Sequence, residues 1–496
     1  MLEQLKNQAN VTYTENGAVA YSTTGSACLD LFASIGAMRN GTDADIIARF
    51  VRAYTENPLV AMKILFFTRD VRGGLGERRV FRVILKWLAN NEKSAVLKNM
   101  SYISEYGRYD DLLVLLDTKC SVEAVKLIKK QLEQDVEMME RNREVSLLAK
   151  WLPSANASNK ETIYQAKKLI RMLCMKECEY RKVLSSLRSY IKIIENNLRT
   201  LDYTFSYSNI PSKALFKYRS AFYRNDKERY SQFLVDVKNG KAKLNASTLM
   251  PYELIAPYID YRNYYKFGSY MRDIYESEKQ SLNVTWNSLP DFCNDENALA
   301  IVDTSGSMHM NLCPTPASVA LSLGLYFAER SKGVFKNHFI EFSEKPKLIE
   351  VKGETFVDKL RFISTFTRCE NTDIEAVFNL ILNTALRYNV PQKELPSKLY
   401  IISDMQFDSC AYNSELSNFE NAKQQFEKFG YELPQIVFWN VADSKQSLPV
   451  TKNEQGVALV SGCSPRLFSM VMSGELSPYN YMMGVIKSER YIKIKV

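Results

Sequence analysis

Residues 298–307 read ALAIVDTSGS, and the fold is decided there. Five apolar residues run without a polar interruption, as in a strand buried on both faces. The run stops at Asp303, and Ser305 and Ser307 follow at alternate positions around Gly306. Glycine permits a tight turn and close approach of backbone. A carboxylate and two hydroxyls thus leave the C-terminal end of a strand together.

The grammar outward from this segment is consistent. A helix is expected over 313–331, a strand over 338–343, an edge strand over 346–352 and a helix over 373–387. Then come a strand over 398–402, a helix over 415–429, strands over 435–440 and 457–461, and helices over 464–473 and 477–488. Alternating strands and helices predict an open, mostly parallel sheet with helices on both faces. Such sheets bind ligands beyond the C-terminal strand ends, which directs attention to the loops after 302 and 402. LYIISDMQFD brings Asp404 to one of these ends, and CENTDIEAVF places Thr372 before a helix. Asp303, Ser305, Ser307, Thr372 and Asp404 offer oxygen ligands suited to a hard divalent cation such as Mg²⁺. No general base stands beside them: His309 reads as a polar contact and Asp408 as solvent-facing.

Upstream, helical periodicity dominates from about residue 26 to residue 200, and shorter tyrosine-rich helices follow over 205–282. A short extended run around Val11–Tyr13 precedes them. No fixed-period repeat is found, so an irregular α-solenoid-like array is expected. The expected division is a basic helical repeat-like array over 1–285, a linker over 286–296 and the α/β domain with a C-terminal helical extension over 297–496. The fold class is multidomain, α plus α/β.

Charge follows the same division. Residues 1–250 hold 40 Lys+Arg against 27 Asp+Glu, a net of +13, whereas 251–496 hold 25 against 29. RDVRGGLGERR at 69–79 sets Arg69, Arg72, Arg78 and Arg79 around three glycines before a helix. This is either an anion site or a helix–helix turn with internally paired arginines, and it lacks the ending of a nucleotide-binding P-loop. Further on, Arg181, Lys182, Arg188, Lys192, Lys213, Lys217 and Arg219 are interleaved with Tyr190, Tyr203, Tyr207, Tyr218, Tyr223 and Tyr230. Cations with exposed aromatics suit RNA; the same tyrosines could equally pack between helices.

Two histidines exclude a histidine-rich zinc centre, and nine cysteines without framework spacing point to a reducing, cytoplasmic location. No stretch has the length and apolarity of a membrane span.

The strand-end motif resembles the von Willebrand factor A domain and its metal-ion-dependent adhesion site. That resemblance implies direct metal ligation by Asp303, Ser305, Ser307 and Thr372, with Asp404 acting through water. It also implies an open coordination position for a partner's acidic side chain. RDVRGGLGERRVF at 69–81, Asp303–Ser307, NTDIEAVF at 371–378, ISDMQFD at 402–408, IVFWN at 436–440 and PVTKNEQGVALVSGCSP at 449–465 together resemble the DUF2828 family. Domain order and charge division are similar, more distantly, to Ro-type RNA-binding proteins, in which a TROVE helical ring joins a von Willebrand-type domain. The resemblance implies RNA, including small structured RNA, as a partner of the basic half. The function expected is a non-enzymatic RNA-associated adaptor. The alternatives are a protein-binding scaffold without RNA and a cryptic metal-dependent enzyme.

Overall fold

The apolar run becomes strand β3 (Ala298–Asp303), with all six residues buried. The computed structural model describes residues 1, 9–259, 271–293, 297–310, 312–342, 345–366, 372–409, 416–443, 447–471 and 476–496. Beyond a short N-terminal hairpin of β1 (Val11–Tyr13) and β2 (Val19–Tyr21), the strands are β4 (His338–Phe342), β5 (Lys347–Glu350), β6 (Lys398–Ser403), β7 (Gln435–Asn440) and β8 (Val457–Ser461). They form one sheet with β3, in the order β5-β4-β3-β6-β7-β8. Every pairing is parallel except β4 with the edge strand β5. The predicted α plus α/β class holds, including the edge strand.

The helix Pro316–Arg330 starts on a proline at its first turn and is capped by the Thr315 hydroxyl, which accepts from Ser318 N–H. Gly324 on this helix lies so close to β3 that a Cβ would stand 2.3 Å from Val302 Cγ2. Thr355 and Asp358 form a reciprocal capping box that opens a further helix, Phe356–Ile363, absent from the sequence expectation.

The N-terminal half is helical, led by Asp43–Glu56, Pro58–Arg69, Arg79–Asn91, Ser121–Glu140, Lys160–Met172 and Glu177–Tyr190. The segment read as the start of a linker is more ordered than expected. The helix Glu276–Asn287 runs into it, and the Trp286 ring stacks on Phe356 with centroids 4.3 Å apart. Among the described cysteines, seven carry free thiols.

Packing crosses the change in element class at both chain ends. β2 exchanges backbone hydrogen bonds between Tyr21 and Leu448, and the helix Ala27–Ser34 lies on β8. Gly36 presses against β8 so tightly that a Cβ would lie 2.4 Å from Ser461 O. The C-terminal residues return to the helical half. Asp70, fully buried, accepts from Arg490 Nη2 at 2.7 Å and from the Tyr491 hydroxyl at 3.0 Å. Its Oδ1 also accepts from the backbone N–H groups of Arg72 and Gly73 at 2.9 and 3.0 Å. Asn99 and Lys495 then exchange hydrogen bonds between side chain and backbone.

Asp70 is buried while Arg490 is exposed, so removing the carboxylate costs its hydrogen bonds to Arg490, to Tyr491 and to the turn, about 3 kcal/mol. Asp70→Ala should therefore speed amide exchange over residues 490–496 by roughly 100-fold. Lys493→Ala, which removes an exposed partner of Glu105, should leave that exchange unchanged. Mass-spectrometric hydrogen exchange on the full chain decides between these outcomes.

Candidate functional site

β3 and β6 are adjacent, but their connections leave toward opposite edges of the sheet, so a crevice opens at their C-terminal ends. Asp303 ends β3 and Asp404 directly follows β6; they are 0% and 1% exposed. Asp303 accepts from Ser305 N–H at 2.9 Å and from the Ser403 hydroxyl at 2.5 Å. The Ser305 and Ser307 hydroxyls stand 3.1 Å apart. Asp404 Oδ1 accepts from Gln406 N–H at 3.2 Å, whereas the buried Oδ2 has no hydrogen-bond partner among the described residues. Met405 between them is held at φ +66°, a left-handed conformation that is costly for a side-chain-bearing residue. Thr372 is buried at the same rim, and its carbonyl accepts from Asp408 N–H at 2.9 Å.

Burial, followed by the charge of Asp404, raises the Asp303 pKa. Burial also raises that of Asp404; the Ser307 hydroxyl opposes this and Glu15 adds to it. Asp408, expected in solvent, is half-buried and is raised chiefly by burial. Among the described residues, no lysine or arginine ion-pairs with Asp303, Asp373, Asp404 or Asp408. Nor do the described residues contain a group of three or more His, Cys, Asp and Glu side chains that could hold a metal. A cation here would rest on two carboxylates and on hydroxyls, which is a donor set for a hard ion. The unsatisfied Asp404 oxygen fits that demand. His309 is buried, and burial lowers its pKa.

The basic residues divide into two groups. Arg69 is 2% exposed and bonds Asp111 at 2.7 Å, so it is a structural cation and not an anion contact. Arg79 donates to the carbonyls of Arg39 and Gly41 at 3.1 and 2.7 Å and pairs with Asp43. Gly73 and Gly74 between them serve close packing, a Cβ on Gly74 lying 2.0 Å from Phe67 O, whereas Gly76 adopts φ +72°. Arg72 and Arg78 remain exposed on this turn. Arg219 is likewise corrected to a structural role, bonding Phe216 O, the Tyr258 hydroxyl and Glu278. Lys213 pairs with Glu253 at 2.8 Å, and the Lys217 ammonium lies over the Tyr218 ring. Of the interleaved tyrosines, Tyr207 and Tyr230 are core, Tyr207 packing against Phe222, Tyr230 and Phe233, whereas Tyr190, Tyr203, Tyr218 and Tyr223 are half-buried.

Arg181, Lys182, Arg188 and Lys192 converge. They line a cleft of about 1420 Å³ together with Lys150 and Arg199, two residues outside the candidate set. Asp202 is the acidic residue in that lining. On the helix Glu177–Tyr190, Tyr180, Leu184 and Leu187 are buried, with Tyr180 and Leu184 reaching the cleft wall, while Arg181, Lys182, Ser185 and Ser189 line the cleft beside them. This is helical periodicity applied to charge. Arg188 anchors the cleft floor through Ala149 O, Ser154 Oγ and Leu152 O at 2.7–2.9 Å. No carboxylate among the described residues ion-pairs with Lys150, Arg181, Lys182, Arg188, Lys192 or Arg199. Asn196, Asn197, Thr200 and Asn209 on the facing wall add neutral hydrogen-bonding groups.

Comparison with known proteins bears on the whole chain. A family described as Domain of unknown function (DUF7788) matches residues 297–489. The crystal structure of the Deinococcus radiodurans RO (RSR) protein aligns over 92% of both chains, with 11% identity and a TM-score of 0.34. That score is too low to transfer any residue or role. The "Uncharacterized protein L728" of Acanthamoeba polyphaga mimivirus is 30% identical over 517 residues, covering 97% of this chain and 88% of that protein. A second family, Domain of unknown function (DUF2828), matches residues 14–123 and 122–299. With its helical half matched throughout and a relative aligned along nearly its full length, the chain belongs to the DUF2828 family.

Proposed function

We propose that this chain is a non-enzymatic RNA-associated binding protein that holds RNA in the cleft of its helical half. In this reading it docks a protein partner through a divalent cation, Mg²⁺, at the strand-end pocket. The observation that carries the reading is the set of cleft cations that lack carboxylate partners among the described residues. Cations compensated within the fold have little left for a ligand, whereas these keep their field in the cleft. Phosphate contacts position a nucleic acid, and Asn, Ser and Thr groups reach sugar hydroxyls. Of the aromatics on the cleft wall, Tyr180 is buried with its hydroxyl on Pro153 O and Phe205 is packed against Tyr203, Tyr207 and Phe222, so stacking contributes little and binding is weakly sequence-dependent. Among the described residues no helix is long and apolar enough to cross a membrane.

For the cation, Asp303, Ser305, Ser307 and Thr372 would be the direct ligands, with Asp404 reaching it through water. Bound there, the ion would neutralise the buried carboxylates and offer a coordination position to an acidic side chain.

Two experiments test the two parts. In filter binding with single-stranded RNA, the triple variant Arg181→Glu/Lys182→Glu/Lys192→Glu should lose at least tenfold in affinity. Its slope of log affinity against log salt should be shallower by about 2. Lys213→Glu should bind as the parent does. Unchanged RNA binding in the triple variant, or capture of an acidic protein alone by this cleft, would replace RNA with a protein-scaffold reading.

The second experiment follows the carboxylates. A raised native pKa means the folded chain keeps protons that the unfolded chain has lost, so stability falls as pH rises through that window. In Mg²⁺-free buffer the thermal midpoint should therefore drop as the pH is raised above the ordinary aspartate range, and Asp404→Asn should flatten the drop. At neutral pH that variant should be more stable than the parent by about 1 kcal/mol without Mg²⁺. Adding Mg²⁺ should raise the midpoint of the parent and leave that of the variant unchanged. No response of the parent to any divalent cation removes the metal from the proposal.

A further inference from the structure

The two walls of the positive cleft differ in a way that its total charge conceals. Arg181, Lys182 and Arg188 stand on the helix Glu177–Tyr190, and Lys192 follows on the next turn. The other wall is the helix Ile194–Thr200 with the loop after it, and its lining charges, Arg199 and Asp202, are opposite in sign. An anionic backbone is drawn to the first wall, so the sugar side of the strand meets the second. At about 1420 Å³ the cleft is only modestly larger than the roughly 300–1,000 Å³ that encloses a drug-sized ligand. That is room for a few nucleotides of one strand and not for a duplex.

Three polar groups of the second wall are already used within the fold. Asn197 Nδ2 donates to Asp202 Oδ2 at 3.1 Å, and the Thr204 hydroxyl donates to Asp202 Oδ1 at 2.7 Å. The Thr200 hydroxyl donates to Asn196 O at 3.0 Å. Asn196 and Asn209 differ from these. Both line the cleft, and neither side chain has a hydrogen-bond partner among the described residues.

The backbone under these two amides is nevertheless fixed. Asn209 lies between Tyr207 and Ile210, both buried, and the Tyr207 hydroxyl donates to Asp226 at 2.8 Å. Asn245 Nδ2 donates to Ser208 O and Ile210 O at 2.8 and 3.1 Å, clamping the carbonyls on either side of Asn209. Asn196 is two residues from Ile194, which is buried and roots its helix. Side chains with unspent donors and acceptors on an ordered backbone are prepared for a ligand. An amide carries both a donor and an acceptor, and the ribose 2′-hydroxyl is likewise both. A deoxyribose at the same place leaves the amide without that partner.

We infer that Asn196 and Asn209 make the cleft selective for a single strand of ribonucleotides, by hydrogen-bonding 2′-hydroxyls while the cations of the first wall hold the phosphates. The inference rests on the RNA reading above and adds the groups that choose the sugar.

The test uses the full chain and fluorescence anisotropy at one fixed salt concentration, since phosphate contacts make affinity salt-dependent. The probes are ten-nucleotide strands of uridine and of deoxyuridine, identical in base, and one of deoxyadenosine. The parent should bind the uridine strand about tenfold more tightly than the deoxyuridine strand, the effect of two hydrogen bonds. Asn196→Ala/Asn209→Ala should bind the uridine strand as weakly as the parent binds the deoxyuridine strand, with deoxyuridine affinity unchanged. Thermal melts of the variant should match the parent, because neither side chain is bonded within the fold. Equal affinity of the parent for the two sugars overturns the inference and leaves nucleic-acid binding standing. A ribose preference that survives in the double variant assigns the choice to other groups, and the inference fails. It fails too if the parent separates deoxyadenosine from deoxyuridine and that separation is lost in the variant, since the amides then read base edges. A parent that binds none of the strands overturns the RNA reading and the inference together.

Discussion

A parallel sheet must be covered on both faces, because its strands expose apolar side chains above and below. Here the chain's own ends provide part of that cover. The helix Ala27–Ser34 closes on β8 through the Gly36–Ser461 approach, and the C-terminal residues lock into the helical half through Asp70. The buried Asp70 carboxylate is satisfied by one arginine, one tyrosine and two backbone N–H groups, so each of these groups depends on the others. Buried polar groups of this kind specify one arrangement, because any alternative leaves a carboxylate desolvated and unpaired.

The same crossing of termini determines what the strand-end pocket meets. A sheet of this topology leaves its crevice open to whatever lies beyond the strand ends. In this chain the first hairpin lies there, with Thr14 and Asn16 hydrogen-bonded to the loop that follows Asp404. Two regions of opposite charge result. One is a negative pocket at the sheet. The other is a positive cleft on the helix Glu177–Tyr190, where six cations meet one acidic residue. A net charge of +9 conceals both.

Much of the sheet was legible. Period-free apolar runs marked β3, β6, β7 and β8, because a strand buried on both faces has no solvent side to encode. Asp303, Ser305, Ser307 and Asp404 were legible for a related reason, since polar residues directly after such runs must sit at strand ends. The helix Phe356–Ile363 was missed, although its capping box, Thr355 with Asp358, was a readable start signal. The arginines of 69–79 were readable only as a choice between anion site and turn. Their partners decide it, and Asp111 and Asp43 stand far from them in sequence.

The sequence by itself determined the two element classes, the basic character of the helical half and the oxygen-rich strand ends, because these follow from local periodicity and composition. Tertiary structure alone decided which cations remain uncompensated and what lies over the acidic pocket. Arg69 and Arg181 are the same residue type in equally basic surroundings, yet one is buried against Asp111 and the other faces a cleft. Thr14 and Asn16 carry no motif at all; their place on the loop after Asp404 exists only because distant parts of the chain fold against each other. Charge compensation and coordination depend on distance in space, and a linear sequence records distance only along the chain.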